Sequence, residues 1–110
     1  MSKQTMSLIK QCSPIFSMLQ DERRQEILML LFDYGELSVT ELTERLSLSR
    51  PAVSHHLKLL LDAHLLDVRQ AGKERYYRLE LGPALDLLNQ LTDSLKNDIR
   101  LKEADKNATN

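Results

Sequence analysis

The residues best suited to chemistry are gathered in one stretch: Ser49, Arg50, Ser54, His55, His56, Lys58 and His64 all lie within residues 49–64. They do not make a hydrolytic centre. There is no phosphate-cradling glycine loop, no His-Glu-x-x-His pair and no nucleophile with a neighbouring base. The single cysteine, Cys12, cannot close an internal disulfide or complete a thiolate metal site by itself. Hydroxyls, imidazoles and cations interleaved in this way can instead hold phosphates and the hydrogen-bonding edges of bases.

Charge supports that chemistry once it is divided along the chain. The formal net charge is −1. The acidic part is residues 21–44, where Arg23 and Arg24 stand against Asp21, Glu22, Glu26, Asp33, Glu36, Glu41 and Glu44. The basic part is residues 45–78, where Arg45, Arg50, Lys58, Arg69, Lys73, Arg75 and Arg78 outnumber Asp62, Asp67 and Glu74. All three histidines fall in the basic part. Such a block inside a near-neutral protein is an electrostatic footprint for a polyanion.

The elements that position these residues are legible from caps and periodicity. Asp21 caps a helix that buries Ile27, Leu28, Leu30 and Leu31 and ends at Tyr34-Gly35. Ser38-Val39-Thr40-Glu41 is a capping box opening a short helix through Leu46. Ser49 and Pro51 start a second helix that runs to about Ala63. Two short helices joined by a tight turn make a helix-turn-helix. At 100° per residue, Val53, Leu57, Leu60 and Leu61 face a core. Pro51, Ser54, His55 and Lys58 face away, His56 lies at the border, and Arg50 stands at the exposed N-terminal end. Ser54 and His55 are thereby the candidate base readers, with Arg50 and Lys58 divided between bases and phosphates.

Leu66–Gln70 and Glu74–Leu79 alternate around Ala71-Gly72-Lys73 and read as a β-hairpin. Its cations are Arg69, Lys73, Arg75 and Arg78, so the hairpin reads as a basic wing. Tyr76 and Tyr77 point to opposite faces, one into the core. From Pro83 a last helix carries Leu85, Leu88, Leu95 and Ile99, with Leu87 and Leu91 broadening the stripe beyond what one small domain needs. Before Asp21, Met6, Ile9, Phe16 and Leu19 follow a helical spacing that Ser13-Pro14 interrupts, by a kink or by a new start.

The whole chain has 110 residues, 42% hydrophobic and 28% charged, the size and balance of one compact domain. The longest apolar run, Ile27–Phe32, is far short of the roughly 20 residues a bilayer demands, so no membrane partner is expected. The N-terminus has no apolar core of signal-peptide length, so a cytoplasmic location is expected. The expected fold is mainly α with a small β-hairpin (α+β), a winged helix-turn-helix. It is expected to divide into an N-terminal helical arm for dimerisation (1–20), a winged helix-turn-helix DNA-binding part (21–80), a C-terminal dimerisation helix (81–101) and a disordered tail (102–110).

Several stretches also resemble the ArsR/SmtB-type winged-helix repressors over roughly residues 14–100. They are Asp21–Leu28, Gly35–Leu42, Leu48–Leu60 with its Val-Ser-His-His-Leu-Lys-x-Leu-Leu run, and Gly72–Leu79 with its Gly-Lys-x-Arg-Tyr-Tyr. The resemblance implies a homodimer built from the first and last helices, bound to a palindromic operator in double-stranded DNA and released by an inducer. The expected DNA contacts are Ser49, Arg50, Pro51, Ser54, His55, Lys58, Arg69, Lys73 and Arg75. The expected dimer contacts are Phe16, Leu85, Leu88, Leu95 and Ile99. The sensing residues depart from the family. Arsenic- and lead-type members open the helix-turn-helix with cysteines, where this chain has Ser38 and Thr40, poor ligands for soft metals. Zinc-type members use Asp and His along the last helix, where this chain has Asp86, Asp93 and Asp98 but no histidine. No metal site and no cofactor are expected. His64 stands where such repressors carry the glycine that ends the recognition helix, and it reads as a structural residue in the left-handed conformation. Two alternatives remain at this level: a winged-helix module that docks an acidic protein, and a redox-responsive regulator using Cys12, with a disulfide between two copies.

Overall fold

Each helix begins where the chain supplies a cap. In the computed structural model, which describes residues 1–108, Ser2 caps α1 (Lys3–Leu19) and Asp21 caps α2 (Glu22–Tyr34). Gly35, at φ +83°, turns the chain out of α2 into β1 (Glu36–Ser38). Ser38 and Glu41 form the capping box of α3 (Val39–Arg45), each side chain bonding the other's backbone N–H at 3.0–3.1 Å. Ser49 caps α4 (Arg50–Asp62), with Pro51 in the first turn where its missing N–H costs nothing. Strands β2 (Leu66–Ala71) and β3 (Glu74–Leu79) form the wing, and α5 (Gly82–Ala108) completes the chain.

The end of α4 is a Schellman motif closed by a histidine. Leu65 N–H donates to the Leu60 carbonyl at 3.1 Å and His64 N–H to the Leu61 carbonyl at 3.0 Å, with His64 at φ +60°. The left-handed histidine expected from the sequence is therefore present.

The core is aliphatic. Ile27, Leu31, Leu42, Val53, Leu57 and Leu60 are fully buried together, and Leu37, Val39, Leu65, Leu66 and Tyr77 close the cluster from the sheet side. Tyr77 is thus the core tyrosine of the pair. A second, smaller core joins α1 to α5 through Leu8, Cys12 and Leu91, with Ile9, Leu87, Leu88 and Leu95 packed against it.

Four features differ from the sequence-based expectations. The sheet has three strands, not two: β1 pairs antiparallel with β3, giving the order β1-β3-β2. The wing turn is Gly72-Lys73 alone, with Ala71 and Glu74 as cross-strand partners and Gly72 at φ +62°. Helix α1 runs unbroken through Pro14 and buries Thr5, Leu8, Cys12 and Ile15. Met6, Phe16 and Leu19 lie on its exposed side. Proline removes one intrahelical bond there, and packing against α5 offsets the loss. Finally, α5 continues through Ala108, in place of the disordered tail expected from Lys102. Residues 102–108 contain no Gly or Pro to stop it, and Lys, Glu and Ala favour its extension. The last two residues of the expected tail, 109–110, lie outside the described residues.

Candidate nucleic-acid interface

Helix α4 and the wing enclose a cleft of about 540 Å³. One wall is the outer side of α4, contributing Arg50, Ser54, Lys58 and Asp62, together with Leu61, which is expected in the core and is instead half-buried, packed against the core and also lining the cleft. The other is the wing, contributing Gln70, Lys73, Arg75 and Tyr77, with Val39 also in the lining. Five expected contact residues (Arg50, Ser54, Lys58, Lys73 and Arg75) are thereby brought into one concavity. Ser49, Pro51 and His55 are exposed on the same helix outside the cleft lining. His56 is half-buried at the border, its ring centroid 6.0 Å from that of His55.

Arg69 is not brought to the cleft. Alternation along a strand sends successive side chains to opposite faces, and the register pairs Arg69 with Tyr76 and Gln70 with Arg75. Gln70, Arg75 and Tyr77 therefore share the cleft side, while Arg69, Tyr76 and Arg78 occupy the sheet's other face. There Arg69 stacks over the Tyr76 ring, 4.6 Å from its centroid, and forks onto Glu36 with its shortest contact at 2.7 Å. Arg78 pairs with Asp67 at 2.6 Å. These guanidiniums hold Glu36 and Asp67 below the usual carboxylate range. Arg69 staples the three strands and belongs to the fold.

The two faces of the wing thus differ in their charges. On the outer face both arginines are neutralised by carboxylates. On the cleft side, Arg50, Lys58, Lys73 and Arg75 form no ion pair among the described residues. Asp62 is the only carboxylate among the lining residues described. Unpaired like charges around one concavity repel each other and are relieved by a polyanion.

Sequence reasoning overlooked Thr40 and Glu74. Arg50 Nη1 donates to Thr40 Oγ1 at 2.9 Å, and the Thr40 hydroxyl donates to Glu74 at 3.1 Å. These residues meet only through the tertiary packing of α3 against the wing, so no local pattern announces them. The positions expected to lack metal-binding character are occupied structurally: Ser38 is buried as the cap of α3, and Thr40 is held in this hydrogen-bond chain. Cys12 is fully buried between α1 and α5, its thiol 3.8 Å from the Leu87 carbonyl, and burial pushes its pKa up. A protonated, buried thiol is a packing group and a poor nucleophile.

Comparison with known proteins identifies the family. The profile of the family described as "Bacterial regulatory protein, arsR family" matches residues 21–68. The arsenical resistance operon repressor of Staphylococcus aureus is 38% identical over 82 residues, spanning 74% of this chain and 78% of the relative. That of Staphylococcus xylosus is 40% identical over 84 residues, spanning 76% and 79%. Among solved structures, an ArsR-like transcriptional regulator from Rhodococcus sp. RHA1 superposes with a TM-score of 0.74 at 28% identity, covering 94% of this chain and 95% of that one. By these relatives the chain belongs to the ArsR family and is a DNA-binding transcriptional regulator with a winged helix-turn-helix fold.

Proposed function

We propose that the protein is a cytoplasmic homodimeric repressor that holds two copies of the α4–wing cleft against a palindromic operator. The observation that carries this reading is the set of unpaired cations, Arg50, Lys58, Lys73 and Arg75, turned to one side of a wing whose other arginines are neutralised. In this arrangement α4 enters the major groove, with Ser54 and His55 reading base edges and Arg50 and Lys58 shared between bases and phosphates. Ser49 and Pro51 approach the backbone at the helix N-terminus. Lys73 and Arg75 hold the adjoining phosphates or minor groove. None of these roles is catalytic, and none needs a metal or cofactor.

Dimerisation is supported by apolar side chains left outside both cores. Phe16 on α1 and Leu85, Ile99 and Leu101 on α5 are exposed, while Leu88 and Leu95 are half-buried and shared with the α1–α5 core. Along a 27-residue helix about 40 Å long these positions offer a second copy an extended seam. A two-fold dimer would set its recognition helices about 34 Å apart, one turn of duplex.

The test is selection of duplexes from a randomised pool, followed by a salt titration of the best binder. With about four phosphates neutralised per subunit, the log–log slope is expected near −7. A flat titration, or equal affinity for every duplex, overturns the proposal.

A further inference from the structure

Arg50, Thr40 and Glu74 come from α4, α3 and β3, and a single oxygen joins them. Arg50 Nη1 donates to Thr40 Oγ1 at 2.9 Å. The Thr40 hydroxyl donates in turn to the Glu74 carboxylate, whose two oxygens lie at 3.1 and 3.4 Å. Only a hydroxyl can, at that size, accept from a guanidinium and donate to a carboxylate at once. The chain runs from cation to anion, so each bond polarises and strengthens the other. Among the described residues Arg50 and Glu74 form no direct ion pair, so Thr40 is their link. Thr40 itself is half-buried in the first turn of α3, next to the capping box that fixes that turn.

The elements joined in this way are the two walls of the cleft. Arg50 is the first residue of α4, and Glu74 is the first residue of β3 beyond the Gly72-Lys73 turn. Arg50 uses one N–H on Thr40 and keeps its other donors for a base or a phosphate.

We propose that Thr40 is a positioning residue for DNA recognition, aiming the Arg50 guanidinium and fixing the spacing between recognition helix and wing. The proposal rests on the DNA-binding reading above. Because Thr40 acts through Arg50, its loss should cost affinity for the preferred duplex more than affinity for DNA in general. A merely structural threonine would weaken both alike or neither.

Four variants test this: Thr40→Val, which keeps the shape and removes both bonds, Thr40→Ser, which keeps the hydroxyl, Arg50→Ala, and the Thr40→Val/Arg50→Ala double variant. Each is titrated by fluorescence anisotropy, at one salt concentration, against the best duplex from a randomised pool and a scrambled duplex of equal length. Melting curves confirm that each variant is folded. Thr40→Val is expected to bind the selected duplex about tenfold more weakly and the scrambled one less than about twofold more weakly. Thr40→Ser should restore the selected-duplex affinity, and in the Arg50→Ala background Thr40→Val should cost nothing further. Equal losses on both duplexes, an unchanged Thr40→Val, or a full additional loss without Arg50 each overturn the positioning role while leaving the DNA-binding reading intact. A wild-type protein that binds the two duplexes equally overturns both.

Discussion

The Thr5 hydroxyl donates a 2.7 Å hydrogen bond to the Asp98 carboxylate, tying the first turn of α1 to the distal half of α5. Ser2 N–H donates to the same carboxylate oxygen at 3.1 Å, and the Ser94 hydroxyl lies against that of Thr5. Thr5 is fully buried in this contact, so its hydroxyl depends on these partners for the bonds water would otherwise supply.

The first prediction concerns acid. The Thr5 hydroxyl, then the Ser2 N–H, hold the Asp98 carboxyl below its usual range. A carboxyl whose pKa is lowered by folding contributes stability that is complete above the unfolded value and is lost as pH falls through the lowered one. The bond should therefore be intact at neutral pH, with its contribution to stability starting to fall near the ordinary carboxylate value of about pH 4 and vanishing only below it. Asp98→Asn should lower the melting temperature at pH 7 and flatten its decline between about pH 5 and pH 3. Melts of both proteins across that range provide the check. An identical acid limb in the variant would refute the assignment.

A second prediction follows from His64. A non-glycine residue at φ +60° carries a backbone penalty that glycine avoids. His64→Gly should stabilise the protein by about 0.5–1 kcal/mol after allowing for the greater freedom of glycine in the unfolded chain. His64→Ala retains the penalty and should give no gain. Urea denaturation distinguishes the two.

The wing supplies a third. Arg75→Ala should weaken binding to all duplexes by about tenfold and make the salt slope shallower by about one for each phosphate it no longer neutralises. Arg69→Ala, on the opposite face and bonded to Glu36, should leave both quantities unchanged. Anisotropy titrations over a range of salt measure them together. A large DNA-binding defect in Arg69→Ala would show that the wing is engaged from its other side.

The seam on α5 gives a fourth. Ile99→Glu and Leu85→Glu place a charge where a second copy is proposed to pack, and each should shift the protein from two copies to one. Light scattering after gel filtration reads the mass. Affinity for a two-half-site duplex should then fall by about a hundredfold, because the second half-site no longer benefits from tethering.

A fifth concerns the signal. With Ser38 serving as a helix cap and Thr40 occupied by Arg50 and Glu74, the start of α3 offers only hard oxygens. Arsenite added to the protein–DNA complex should leave it intact in a gel-shift assay, in contrast to what the names of the staphylococcal relatives suggest of those proteins.

Much of the fold could be read from local chemistry. Asp21, Ser38 with Glu41, and Ser49 with Pro51 mark the helix starts because a cap joins residues two or three apart. The outward set on α4 follows from periodicity alone, and Ser54, His55 and Lys58 are exposed as that arithmetic requires. What escaped depended on distance or on register. Glu36–Ser38 has no strand pattern of its own and becomes a strand only because β3 lies beside it. Sequence groups Arg69 with Arg75 because a three-residue turn leaves the strand pairing open. A Gly72-Lys73 turn pairs Arg69 with Tyr76 and so puts it on the face opposite Arg75. Phe16 is an expected dimer residue, and its exposure follows from α1 burying the Thr5–Ile15 face against α5.

The sidedness of the wing also bears on how an encounter begins. Long-range attraction guides a duplex before any atom touches, and it acts on whatever charge remains uncompensated. A helix of DNA drifting towards Glu36, Asp67, Arg69 and Arg78 meets charges already cancelled in pairs, and nothing detains it there. Approaching the flank of Lys58, Lys73 and Arg75, it should be drawn in with the face proposed to bind it forward. On the proposed binding mode, carboxylates outside the cleft thereby help decide the orientation of arrival.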